Sequence, residues 1–209
     1  MGLLNVNNML PGVGLSTSEA NAIQDQVTGI GAASPPSQGG QSINPMGNAN
    51  YQTSSAGVSP GATGADNVVA VYTLPASAFD KAGRVATIQA WGSFASNGDS
   101  KTIKIFMGCT AAVVGSTVSG GTAIASTGSV ATNGGGWAIA ANVAKYGAAG
   151  SNTQQAIHSQ AQVGAAVSAL LAPQNLTITE SGAIIVAVTA NTTTATDVVF
   201  NAFELTWSN

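Results

Sequence analysis

From Asp66 onward the chain is a succession of short runs in which apolar and polar residues alternate, broken by Gly, Asn, Ser and Pro. Side chains of a strand point to opposite faces in turn, so this period of two predicts strands with one buried face. The first run is Asn67 to Thr73, with Val69, Val71 and Thr73 on one face, closed by Pro75. Arg84 to Ala95 follows, placing Ala86, Ile88, Ala90 and Phe94 on one side and Val85, Thr87, Gln89 and Trp91 on the other. Lys101 to Met107 sets Ile103, Ile105 and Met107 against Thr102, Lys104 and Phe106. Between the last two stands Ser96-Asn97-Gly98-Asp99, and Asn-Gly tolerates the positive φ of a tight turn, so the two runs are expected to pair as a hairpin. Lys101 is then expected where that hairpin reopens to solvent.

Further runs are Thr110 to Thr117, Trp137 to Tyr146, Thr153 to Val163, Gln174 to Thr179, Ala183 to Thr189 and Thr196 to Trp207, punctuated by Gly120-Gly121, Asn133 to Gly136 and Gly147 to Gly150. Val163 to Leu171 fits helix or strand, because periodicity does not separate the two in a short Ala-rich run. Strands without alternating helices predict an all-β sandwich or barrel, and the jelly-roll-like antiparallel β-sandwich fits the number of runs best.

Residues 1 to 65 read differently. They hold five of the seven prolines but one of the eleven aromatics, Tyr51, and two charged residues, Glu19 and Asp25. Such a segment cannot bury enough apolar surface to offset its ordering entropy, so it is expected to order only against a partner. Ser16-Thr17-Ser18-Glu19 has capping-box spacing, and Ala20, Ile23 and Val27 follow at helical intervals before Gly29 and Gly31. This predicts a short helix over 16–27 with one narrow apolar stripe. Residues 32–64, rich in Pro, Gly and Ser, read as a linker or extended clasp. The expected organisation is an extended N-terminal arm over 1–65 and a sandwich over 66–209.

Charge changes the picture most. Only 6 % of residues are charged and the net charge is -3, against roughly 25 % charged in an ordinary soluble domain. So little charge leaves a monomer poorly protected against self-association and implies extensive contact surfaces. With five basic residues, and Lys101 and Lys104 on opposite faces of a run, no patch for nucleic acid is expected. Met1 to Asn8 has no basic region before an apolar stretch. The longest mostly apolar windows, Val163 to Ala172 and Ala183 to Ala190, fall short of the ~20 residues that span a bilayer. Neither secretion nor membrane insertion is expected.

Candidate chemistry is sparse. Cys109 is the one cysteine and reads as a small buried hydrophobe at a strand end. His158, the one histidine, falls by alternation on a polar face with Gln154, Ala156, Gln160 and Gln162, with no nucleophile motif to serve. Asp66, Asp80, Asp99, Glu180 and Asp197 fall at turns or strand starts, where backbone hydrogen bonding favours acidic residues, and Glu204 interrupts a strand. Gly134-Gly135-Gly136 lacks the Lys-Ser or Lys-Thr of a phosphate loop and reads as an ordinary loop. No catalytic residue, metal site or cofactor is expected.

The stretch Leu74-Pro75-Ala76-Ser77-Ala78-Phe79-Asp80-Lys81-Ala82-Gly83-Arg84, then Ile88-Gln89-Ala90-Trp91-Gly92-Ser93-Phe94-Ala95, Asn97-Gly98 and Lys101-Thr102-Ile103-Lys104-Ile105, resembles virion surface proteins of tailed bacteriophages, in their jelly-roll head-decoration, cement or fibre domains. The resemblance covers about Asp66 to Gly108. It implies a non-enzymatic structural protein, made in the host cytoplasm and carried on the capsid surface. The expected role is a head decoration or cement protein: a homotrimeric sandwich whose arm clasps the major capsid protein or another virion protein. Leu3, Leu4, Leu10, Ile23, Val27 and Tyr51 are the expected anchoring residues of that arm. The alternative is a fibre or adhesin that binds a host surface glycan, with Trp91, Phe106, Trp137 and Tyr146 as interface or glycan-binding aromatics.

Overall fold

A computed structural model of the chain describes residues 41–44, 47–58, 64–131, 133–164, 166–168, 173–194 and 196–207. The elements are β1 (Gln41–Asn44), β2 (Gly47–Val58), β3 (Asn67–Leu74), β4 (Val85–Ser96), β5 (Lys101–Ala111), β6 (Ser119–Ser126), β7 (Asn133–Lys145), β8 (Gln154–Val163), β9 (Ala166–Ser168), β10 (Gln174–Leu176), β11 (Ile184–Thr192) and β12 (Val198–Trp207). The larger sheet runs β1-β2-β12-β4-β7-β8-β10, with β9 also on β8, and the smaller runs β3-β11-β5-β6. The pairings are antiparallel, and the two sheets form a β-sandwich. Between them lies one core, in which Leu74, Ile88, Ile103, Ile105, Ile139, Val186, Phe203 and Leu205 are buried.

The hairpin expected between the second and third runs does not form. β4 pairs with β12 and β7, whereas β5 pairs with β11 and β6. Their apolar faces, Ala86, Ile88 and Ala90 on one and Ile103, Ile105 and Met107 on the other, meet across the core instead of lying side by side. The Ser96–Ser100 connection therefore climbs from sheet to sheet, and neither Asn97 nor Gly98 takes positive φ.

Alternation is interrupted by bulges, each of which adds a residue to one strand and exchanges its faces beyond that point. In β8, Asn142 pairs with His158 but Val143 with Ala156, so Ile157 is the extra residue. Gln154 and Ala156 consequently face the core, while His158, Gln160 and Gln162 face solvent, which corrects the single polar face expected for all five. Val69 is extra in β3 and joins the core away from Val71 and Thr73. Gly108 is extra in β5, at φ 76°, and turns Cys109 outward. Asn201 is extra in β12.

Other expectations are corrected by glycines that continue a ladder. Gly120 and Gly121 lie inside β6, and Gly134–Gly136 begin β7 rather than forming a loop. The run expected over Thr110 to Thr117 stops as a strand at Ala111. Within Val163 to Leu171, Ala166–Ser168 is a strand.

The sheet also crosses the division expected at residue 65. β1 and β2 form a hairpin, and β2 pairs along β12 from Asn48 opposite Trp207 to Val58 opposite Phe200. That part of the tract read as linker is therefore strand. Tyr51 lies in β2, opposite Glu204. The helix expected over 16–27, with Leu3, Leu4, Leu10, Ile23 and Val27, lies outside the described residues.

Candidate functional site

The scarce charges are concentrated at the two ends of the sandwich. At one end Lys145, the last residue of β7, is fully buried. Its three ammonium protons have three acceptors: Glu180 Oε1 at 2.5 Å, Ser151 Oγ at 2.8 Å and Thr153 Oγ1 at 3.0 Å. Glu180 also accepts from Gln154 Nε2 and from the Gly150 amide, at 3.1 Å from Oε2. Gln154 in turn exchanges two hydrogen bonds with the backbone of Ile178, as a strand neighbour would. The cluster joins the 146–153 loop to the segment before β11, and every member is satisfied, as buried ions require.

Lys101 closes the opposite end. It is also fully buried, which corrects its expected place in solvent. Its Nζ donates to Asn97 O at 3.1 Å, Asn97 Oδ1 at 2.6 Å and Asp99 O at 2.9 Å. Asn97 Nδ2 passes the contact on to Asp197 Oδ1 at 2.6 Å, and the Thr192 hydroxyl donates to Oδ2 at 3.1 Å. Burial alone would raise the Asp197 carboxyl. The hydrogen bonds from Asn97 and Thr192, with the charge of Lys101, outweigh it and hold the group below the usual carboxylate range. Two more carboxylates are paired near the surface, Asp80 with Arg84 and Asp66 with Lys104, each at 2.8 Å. The turn at Asn97 thus serves to seat a buried cation.

With charge placed there, the broad faces are almost free of it. Outside the smaller sheet, Val68, Cys109 and Ala187 are buried beneath a second apolar cluster with Val71, Phe106, Ala112, Val118 and Ile185. Residues 112–118 fold against this face and are held to β3 by Val68 N to Ser116 O at 2.8 Å and Gly115 N to Val68 O at 2.9 Å. Val113 and Val114 are exposed on that connection. Burial pushes the Cys109 thiol up to about 11, so it is a packed thiol at neutral pH, as its sequence position implied.

The outer face of the larger sheet carries a shallow trough along β7, a hollow of about 150 Å³. Its floor is Ala138 and Ala140. Trp91 pairs across β4 and β7 with Ala138, which pairs with Gln162 of β8, and the next row is Gln89, Ala140 and Gln160. Large side chains on β4 and β8 therefore flank small ones on β7, and among the described residues no charged side chain lines the hollow.

The four aromatics expected to act together are dispersed. Trp91 edges the trough, and Phe106 lies outside the opposite sheet. Trp137 is buried in the core, stacked on Phe94 with centroids 6.3 Å apart, its Nε1 donating to Ser93 O at 3.3 Å. Tyr146 is exposed beside the Lys145 end. The residues that join Trp91 are Gln89, Gln160 and Gln162. Alternation sets Gln89 on the face of Trp91 and Gln160 with Gln162, but only the pairing through β7 brings the two sets together. Among the described residues, no group of three or more His, Cys, Asp or Glu could hold a metal ion.

Fold and surfaces together define an antiparallel β-sandwich with ionic ends and nearly uncharged broad faces. No protein-family model matches the chain, and no curated protein does. Among solved structures it is similar to a functionally unknown protein from Saccharomyces cerevisiae, at 10 % identity over 87 % of this chain and 94 % of that one, with a TM-score of 0.28.

Proposed function

We propose that the chain is a non-enzymatic structural protein of a tailed-bacteriophage virion, a head decoration or cement protein. The observation that carries this reading is the distribution of charge: ions are drawn into the ends of the sandwich, leaving broad faces suited to packing against other subunits. Contacts made by uncharged polar and apolar groups avoid the cost of desolvating ions. The resemblance of Leu74 to Ile105 to virion surface proteins points the same way. In this reading the sandwich is jelly-roll-like, a topology supported by changes of sheet at β2–β3, β3–β4, β4–β5, β6–β7, β10–β11 and β11–β12. It assembles as a homotrimer, and the N-terminal arm clasps the major capsid protein.

The experiment is attachment to purified heads that lack the protein. Full-length chain is expected to bind as a trimer, and deletion of residues 2–40, which spares every described strand, to leave a folded trimer that no longer attaches. Undiminished attachment after the deletion would refute the clasp. A monomeric mass for the full chain would refute the trimer.

A further inference from the structure

We propose that the trough along β7 binds a neutral polysaccharide, a chain of uncharged hexoses lying parallel to the strand. The inference does not depend on the assembly reading.

The lining carries the argument. Gln89, Gln160 and Gln162 each offer an amide that donates and accepts, Gln162 with one N–H already given to Gly164 O at 3.1 Å, which matches hydroxyl groups that do both. Trp91 supplies a large flat apolar surface at the rim, suited to stacking against the C–H face of a sugar ring. Among the described residues no cation lines the hollow to select an anionic polymer, and no carboxylate lines it to select a polycation. Ionic groups nearby stand outside the hollow: Glu204 pairs with Gln89 from the far side of β4, and His158 lies in the row beyond Gln160.

Geometry favours a sugar chain over a peptide. An extended peptide gains affinity chiefly by adding to a free sheet edge. β7 is paired on both sides, with β4 and β8, so its backbone offers no ladder to a guest. Only side chains face the occupant. The walls stand two strand spacings apart, about 9.6 Å, and successive rows are about 7 Å apart along the strand. Alanine at 138 and 140 keeps the floor low between them.

The test is affinity electrophoresis of the full chain in gels containing an α-glucan, a β-glucan, a mannan or a galactan. Retardation by at least one polymer, unaffected by sodium chloride, is expected. Trp91→Ala removes the platform and Ala140→Phe fills the floor at a solvent-facing position, so each should weaken binding at least about tenfold. Lys81→Ala, on an exposed turn, should leave it unchanged, and circular dichroism checks that each variant is folded. No retardation by any of the four polymers, or retardation that survives both trough substitutions, would overturn the proposal. So would a loss of trimer mass in Trp91→Ala when the unaltered protein binds none of the polymers, which would assign the face to a subunit contact. Head attachment is scored separately, so failure here leaves the assembly reading standing.

Discussion

Lys145 and Glu180 meet as a buried ion pair, Nζ to Oε1 at 2.5 Å, although 35 residues separate them in the chain. Removing one partner strands the other charge away from water, which typically costs about 3–5 kcal/mol. Lys145→Met is expected to lose that much stability in urea unfolding. Adding Glu180→Leu removes the stranded carboxylate but leaves the Gly150 amide and one N–H of Gln154 without their acceptor. The double variant should therefore fall between Lys145→Met and the parent, and a double variant less stable than Lys145→Met would show that the pair is not coupled in this way.

Gly92 illustrates a different constraint. A Cβ there would overlap the Val199 carbonyl oxygen and lie 2.6 Å from Cζ2 of Trp137. Either the β4–β12 ladder or the buried indole must move. Gly92→Ala is expected to cost about 1–3 kcal/mol, the range for overpacking a tight site, read as a lowered thermal midpoint with altered tryptophan fluorescence.

Asp197 gives the fold an acid-sensitive end. Its carboxyl titrates lower when folded than when unfolded, so protons bind the unfolded chain more readily. The stabilisation is complete above the ordinary carboxylate value of about 4 and disappears as pH falls through the folded value. Stability is expected to drop as the pH falls below about 4. In Asp197→Asn that dependence should be shallower, and an identical pH profile would remove Asp197 from the explanation.

The Cys109 thiol, raised to about 11, should be almost entirely protonated at pH 8. Alkylation by iodoacetamide is expected to be slow in the folded protein and fast in urea, measured by mass. Equal rates in the two states would contradict the buried setting.

The hairpin of β1 and β2 separates two truncations. Deleting residues 2–40 retains β2 on β12, whereas deleting residues 2–60 leaves the β12 edge unpaired. Open edges pair with other chains. The longer deletion should aggregate in light scattering at concentrations where the shorter one stays dispersed.

Much of the strand pattern was legible because a run such as Ile103, Ile105 and Met107 states its own buried face. The trough was half legible: Gln89 shares a face with Trp91 in one run and Gln160 with Gln162 in another, but nothing local says that β7 lies between them. Lys101 shows the opposite failure. Alternation puts it on the face of Ile103, yet a lysine at a strand start ordinarily reaches solvent, and its three acceptors come from a turn that is hydrogen-bonded to the connection between β11 and β12.

By itself the sequence determined the all-β class, the alternating faces of the main runs, the break in composition near residue 65 and the shortage of charge, for these are properties of short windows or of composition. Only the tertiary structure decided which strands pair, where Val69, Gly108, Ile157 and Asn201 exchange faces, and that Lys101 and Lys145 close the two ends. The physical reason is that ladder partners and ion pairs form between segments distant along the chain. Apolar periodicity fixes which face a strand buries, whereas competition among all the strands for partners fixes where it sits.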